Sequence, residues 1–353
     1  MKEFKISKGR LIFYLFSVFV FVFFVYHLPE VGSFVKLFKE VNVFWIIVAI
    51  ICQVFTYLCI GLMYNSLLHT GARPNITLWE LAKLSVVIVF MNHTLPSGGV
   101  SGNGFAFHFL VSKGLNAARA LSVIILQFVT AYTAWILAIV VALVAYFTFN
   151  GPLPPTFYWV ATLGIVFFSL LMIFASVVGS KKGVLFIYRR IYKYKWAEKL
   201  LKNWGLTTDE MHDSLQNLEY PWRLVRTYPK AYSRGILGYI GVFLFDALTV
   251  LALYAGLHIS IGIVAAITAC MMSEIIGALP ISPGSLLVYE GGMTFLFSLV
   301  GVPIHAALAV TLMFRGLSFW LPIPIGLFFS HRLVLNDMGV ENDLKLGPQS
   351  DTI

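Results

Sequence analysis

The chain has 353 residues, 59% of them hydrophobic and only 12% charged, with a net charge of +9 and a mean hydropathy of +0.85. A soluble domain carries about 25% charged residues, so a largely water-soluble protein is excluded and a polytopic membrane protein is implied. The three cysteines, Cys52, Cys59 and Cys270, all fall in apolar runs, where packing explains them better than a disulfide framework or metal spacing.

At the N-terminus, MKEFKISKGR followed by LIFYLFSVFVFVFFVY imitates a signal peptide. No small-residue cleavage site follows, so residues 11–27 are expected to be a retained first span. A second full span covers 43–68. The next apolar region, 81–111, breaks at Pro96-Ser97-Gly98-Gly99. Full spans are then expected at 119–149 and 157–179, followed by a basic loop at 181–235 and a further span at 236–256. The region 262–300 breaks again at 280–284, and the last span covers 303–330. The arms of both interrupted regions run to about 15–18 residues, short of the ~20 that cross a bilayer.

Positive charge sets the orientation. Residues 181–234 hold twelve Lys and Arg against five acids, and Lys2, Lys5, Lys8 and Arg10 precede the first span. Both regions are expected in the cytoplasm. The joints 150–156 and 257–261 carry no Lys or Arg and are expected outside. If 81–111 crossed once, the basic loop would emerge on the wrong side, so it must return to the side it entered, and so must 262–300. The expected fold is therefore an all-α polytopic membrane protein in a single integral membrane domain. It has about six full transmembrane helices plus two broken or re-entrant hairpins, entering from opposite sides as an inverted repeat. Both termini are expected in the cytoplasm.

Similarity between the halves supports that repeat. Leu95-Pro96, a glycine-rich turn, Gly114-Leu115 and AARAL (117–121) match Leu279-Pro280, a Pro-Gly turn, Gly301-Val302 and AALAV (306–310). Each copy reads as broken hairpin, short joint, long span.

Charged residues within these apolar runs mark candidate sites. Arg315 lies near the middle of the last span, where a charge costs ~2.5–3.5 kcal/mol on insertion scales and needs a partner or a wet cavity. It either binds a lipid phosphate, which a guanidinium fork matches, or forms an ion pair with Glu290, Glu274 or Asp246. Glu274 and Glu290 flank the second break and are static partners or proton carriers. Asp246 sits mid-span and reads as a structural partner. Gly284 and Ser285 close the second turn. Ser97, Gly98 and Gly99 form the first, where glycine lets backbone N–H groups approach an anion. His93 and His108 flank that turn; two histidines without a third ligand do not make a metal site, and no cofactor is implied. The basic, aromatic stretch 181–204 is either an ordinary cytoplasmic loop or a helix on an anionic leaflet. Neither reading involves nucleic acid.

The stretch GALPISPGSLLVYEGGMTFLFSLVGVPIHAALAVTLMFRGLSFWLPIPIG (277–326) resembles the transmembrane domain of lysylphosphatidylglycerol synthases and their flippase-like relatives. Pro280, Pro283, Gly284, Glu290, Gly301, Ala307 and Arg315 fall at that family's recurring positions, and 95–121 resembles it more loosely. Two departures stand out: Asn103, Gly104, Phe105 and Ala106 replace an acid and an arginine common in relatives, and Leu126-Gln127 replaces a Glu-Arg pair. The resemblance implies a lipid translocator for phospholipid, with aminoacylated phosphatidylglycerol one candidate. The alternatives are phosphatidylglycerol lysyltransferase activity, or an accessory role beside a separate lipid-modifying synthase. A soluble catalytic domain like that of the full-length synthases has no counterpart in these 353 residues, which argues against the enzyme acting alone. A scaffold whose broken helices only pack is the third reading. Membrane phospholipids are the expected partners, and any charged site is expected mainly in the second half.

Overall fold

The computed structural model describes residues 41–69, 75–94, 100–180, 221–279, 285 and 287–330, with 182, 183, 186, 190 and 333 singly. The expected first span at 11–27, most of the basic loop, the tail, and Ser97, Gly98, Gly99 and Gly284 lie outside the described residues. The described residues are helical throughout and contain no strand.

In chain order the helices are α1 (Val43–Leu68), α2 (Leu78–Thr94), α3 (Val100–Ser112), α4 (Ala117–Asn150), α5 (Pro155–Val178), α6 (Pro221–Thr227), α7 (Pro229–Gly256), α8 (Ile263–Ala278), α9 (Val288–Leu299) and α10 (Ile304–Arg315). A π-helical turn, Gly316–Trp320, follows α10, and the helix then runs on to Ser330. Five helices are long and apolar enough to span: α1, α4, α5, α7 and Ile304–Ser330. They coincide with five of the six spans expected from hydropathy. The sixth is the undescribed first one.

Local chemistry sets the ends. Asn42 caps α1, its side chain accepting from the Phe44 amide at 2.9 Å, and Asn116 caps α4 through the Arg119 amide at 2.8 Å. Thr77 and Glu80 form a reciprocal capping box on α2: the Thr77 amide donates to Glu80 Oε2 at 2.8 Å and the Glu80 amide to Thr77 Oγ1 at 3.2 Å. Proline opens α5 and α7 in the first turn, where its missing N–H costs nothing. This is why α7 begins at Pro229, earlier than the hydropathy onset at 236 suggests. The segment 230–235 is polar but has nothing to break the helix.

The two interrupted regions are pairs of short helices. α2 and α3 have 17 and 13 residues, α8 and α9 have 16 and 12. At 1.5 Å per residue they are about 18–25 Å long, below the ~30 Å hydrocarbon thickness. Both pairs end in the same joint. Gly114 and Gly301 take φ of +89° and +92°. The Gly114 and Leu115 amides donate to the Val111 and Leu110 carbonyls, and the Gly301 and Val302 amides to those of Ser298 and Phe297. These are two copies of the Schellman pattern.

Each pair has its own apolar cluster. Leu81, Leu84, Phe109 and Leu110 pack with Met63, Tyr64, Leu67 and Leu126. Met272, Met293, Leu296 and Phe297 pack with Val250, Tyr254, Val310 and Phe314. α1 and α7 make the most extensive helix contact. At Gly238 the backbones come so close that a Cβ would lie 3.1 Å from the Met63 nitrogen, the small-residue packing common within membranes. The outer faces of α1 and α5 are apolar and exposed, with Trp159, Leu170 and Phe174 among the most open residues. The helix carrying Arg315 is the most enclosed: 67% of its apolar window is buried, against 22% for α1 and α5.

Candidate functional site

Arg315 sits at the last residue of α10 and is 6% exposed. Its Nε donates to Glu290 Oε1 at 2.7 Å, and Glu290, in the first turn of α9, is 5% exposed. Of the three acids the sequence offered as partners, the structure pairs Glu290 with Arg315. The other oxygen, Glu290 Oε2, is buried and takes no hydrogen bond among the described residues. The guanidinium also lies over two rings, with Cζ 4.8 Å from the Tyr289 centroid and 4.4 Å from that of Phe319. A desolvated cation over an aromatic face gains about 2 kcal/mol. Ring faces and one carboxylate thus replace much of the water that Arg315 gives up.

Glu274 stands on α8, half-buried, across the hairpin from α9. The Tyr289 hydroxyl donates to Glu274 Oε1 at 2.6 Å. Tyr289 therefore touches Glu274 through its oxygen and Arg315 through its ring, joining the two charges without direct contact between them. Ser285 donates from Oγ to the Gly277 carbonyl, pinning the turn to the end of α8. Ser101 does the equivalent in the first hairpin, donating to the Met91 carbonyl at 2.9 Å.

Asp246 belongs to a different contact. It lies in the α1–α7 interface, where Oδ1 accepts from Gln53 Nε2 at 2.8 Å and Thr56 Oγ1 at 3.0 Å. Gln53 also donates to Thr249 Oγ1 at 3.1 Å. Asp246 is thus an interhelical acceptor through Oδ1, half-buried, within electrostatic reach of Glu274. His93, near the end of α2, stacks on Phe319 at 4.3 Å, and its Nδ1 is buried with no hydrogen bond among the described residues. At the position matching Arg315 in the first half, Leu126 is fully buried among apolar side chains.

The sequence reading missed Tyr289, Phe319, Gln53, Thr56 and Thr249. Spacing held a signal for some of them. Phe319 is four residues from Arg315, and Thr249 is three from Asp246, both same-face distances on a helix.

A bundle of long apolar helices, two pairs of short helices and a buried Arg–Glu pair defines a multi-pass membrane protein with a charged interior. The chain belongs to the family described as the lysylphosphatidylglycerol synthase TM region, whose model matches residues 10–326. A comparison with curated proteins found no match.

Proposed function

We propose that the protein is a phospholipid translocator of the cytoplasmic membrane, with the headgroup passing the Arg315–Glu290 pair. The observation that carries this reading is that pair itself: a cation and an anion held 2.7 Å apart, both more than nine-tenths buried, at the turn of a helix pair too short to cross. A static bundle gains little from such a pair, because apolar residues of equal volume stabilise as well or better. Transport of a charged headgroup is a reason to keep it.

In this reading α2–α3 and α8–α9 are re-entrant hairpins that enter from opposite sides. Lys113 Nζ lies 2.8 Å from Glu80 Oε1, so the first hairpin's outer ends meet, which supports entry and exit on one face. The matched glycine joints and the matched Ser101 and Ser285 bonds support a repeat. The charge count supports inversion, with the termini and the basic loop in the cytoplasm. Inverted hairpins opening in turn to each leaflet are a known route to alternating access.

The headgroup phosphate lies near Arg315 and competes with Glu290 for the guanidinium. Glu274 faces the cationic or hydroxylated portion. The family's description names lysylphosphatidylglycerol, which makes phosphatidylglycerol and its aminoacyl esters the first lipids to test.

The test is reconstitution in liposomes with labelled phospholipids. Transbilayer movement that the Arg315→Ala variant loses supports the reading. No movement of any anionic or aminoacylated lipid overturns it. Lysylated lipid formed by the purified protein from lysyl-transfer RNA and phosphatidylglycerol replaces it with an enzymatic one.

A further inference from the structure

A run of contacts joins the two helix pairs. The Arg315 Cζ lies over the Tyr289 ring at 4.8 Å and over the Phe319 ring at 4.4 Å, and the Phe319 ring stacks on His93 at 4.3 Å with 23° between planes. Tyr289 belongs to α9 in the second hairpin. His93 belongs to α2 in the first. Arg315 and Phe319 both come from the enclosed last span, one at the end of α10 and one inside the π-helical turn.

That turn matters for the placement. The Leu321 amide donates to the Gly316 carbonyl at 2.9 Å, a five-residue step that widens the helix at this point. π turns are uncommon and concentrate at functional sites. Here it sits directly after the buried cation and carries the ring that covers it. No hydrogen bond among those described requires Phe319 to be aromatic: a leucine fills a similar space. A ring, by contrast, can lie under a cation and stack on an imidazole, and Phe319 does both.

We propose that Phe319 and Tyr289 are positioning residues that clamp the Arg315 guanidinium, and that through His93 the same stack ties the first hairpin to the second. Its consequence for transport rests on the translocator reading above; the coupling itself does not. Displacing Tyr289 lets the guanidinium shift, the Phe319 ring loses its support, and the end of α2 is released. The two hairpins therefore move together, although their apolar clusters are separate.

The test reads coupling without measuring lipid transport. In protein with Cys52, Cys59 and Cys270 replaced by alanine, a single cysteine at Ser101 reports on the first hairpin through its rate of maleimide labelling in proteoliposomes. A cysteine at the exposed Thr148 is the control. Tyr289→Leu, in the other hairpin, is expected to change the Ser101→Cys rate by about threefold or more, the size of coupling seen between residues in one network, and to leave the control unchanged. Phe319→Leu is expected to give the same change, and the double variant no more than either. Phe319→Trp and Tyr289→Phe keep the stack and are expected to label like the parent.

An unchanged rate in Tyr289→Leu, additive effects in the double variant, or a Phe319→Trp that behaves like Phe319→Leu overturns the proposal. If Phe319→Leu does not fold, the contrast between Tyr289→Leu and Tyr289→Phe still decides. Lipid transport by the parent in the same proteoliposomes judges the translocator reading separately.

Discussion

Arg315 and Glu290 satisfy each other's charge, and the cost of separating them falls on whichever remains. Arg315→Ala leaves a buried carboxylate whose second oxygen has no hydrogen bond among the described residues. It is expected to lose about 3–5 kcal/mol of stability, measured by unfolding in detergent micelles. Replacing both residues with apolar ones of similar volume, Arg315→Met with Glu290→Leu, is expected to recover most of that loss. The double variant is still expected to move no lipid, which separates packing from transport. Asp246 behaves differently because its partners have other bonds. Gln53 also donates to Thr249 and Thr56 to the Cys52 carbonyl. Asp246→Asn keeps an acceptor and is expected to cost less than about 1 kcal/mol, whereas Asp246→Leu removes both interhelical hydrogen bonds and is expected to cost about 1–3 kcal/mol. The charged members of the site were legible in the sequence because any charge in an apolar run is conspicuous. Tyr289 and Phe319 were not, since they are two among 16 Tyr and 31 Phe and nothing local separates a clamp from core.

The helix pairs owe their ends to a few backbone conformations. Gly114 and Gly301 hold positive φ, and no atom lies within 4 Å of where a Cβ would be. Alanine at either is therefore expected to cost about 1 kcal/mol through the backbone alone, and the two losses should be alike if the joints are repeats. Leu287 is the opposite case. It takes φ of +70° just before α9 and is 44% exposed, so little packing offsets the strain of a left-handed leucine. Leu287→Gly is expected to raise stability by about 1 kcal/mol, read in the same unfolding assay. Both hairpins could be found from the sequence because Pro and Gly interrupt otherwise continuous apolar runs. Their second arms, α3 and α9, end at Ser112 and Leu299, within one residue of the expected ends at 111 and 300. The Schellman joints that stop them are a backbone geometry that hydropathy does not register.

Among the described residues the two short-helix pairs share the same glycine joint, while the buried Arg–Glu pair belongs to the second alone. Leu126 and Arg315 stand at matching positions of the two sequence halves, each fully or nearly fully buried. Five of the six expected spans match long apolar helices among the described residues, since apolar length is what a bilayer demands. The packing that encloses the Arg315 helix and exposes α5 was not, because both helices are apolar around their circumference. The orientation inferred from charge predicts that cysteines placed at Glu80, Lys113 and Arg226 react with an impermeant reagent from one side of the membrane and a cysteine at Asn150 from the other. The central claim, that a phospholipid headgroup passes the buried pair, is tested most directly by lipid movement in proteoliposomes containing the parent protein or its Arg315→Ala variant. The account predicts transbilayer movement of labelled phosphatidylglycerol or its aminoacyl ester by the parent, slowed about tenfold or more in the variant, a barrier increase of about 1.4 kcal/mol. Equal rates in a folded variant would contradict it.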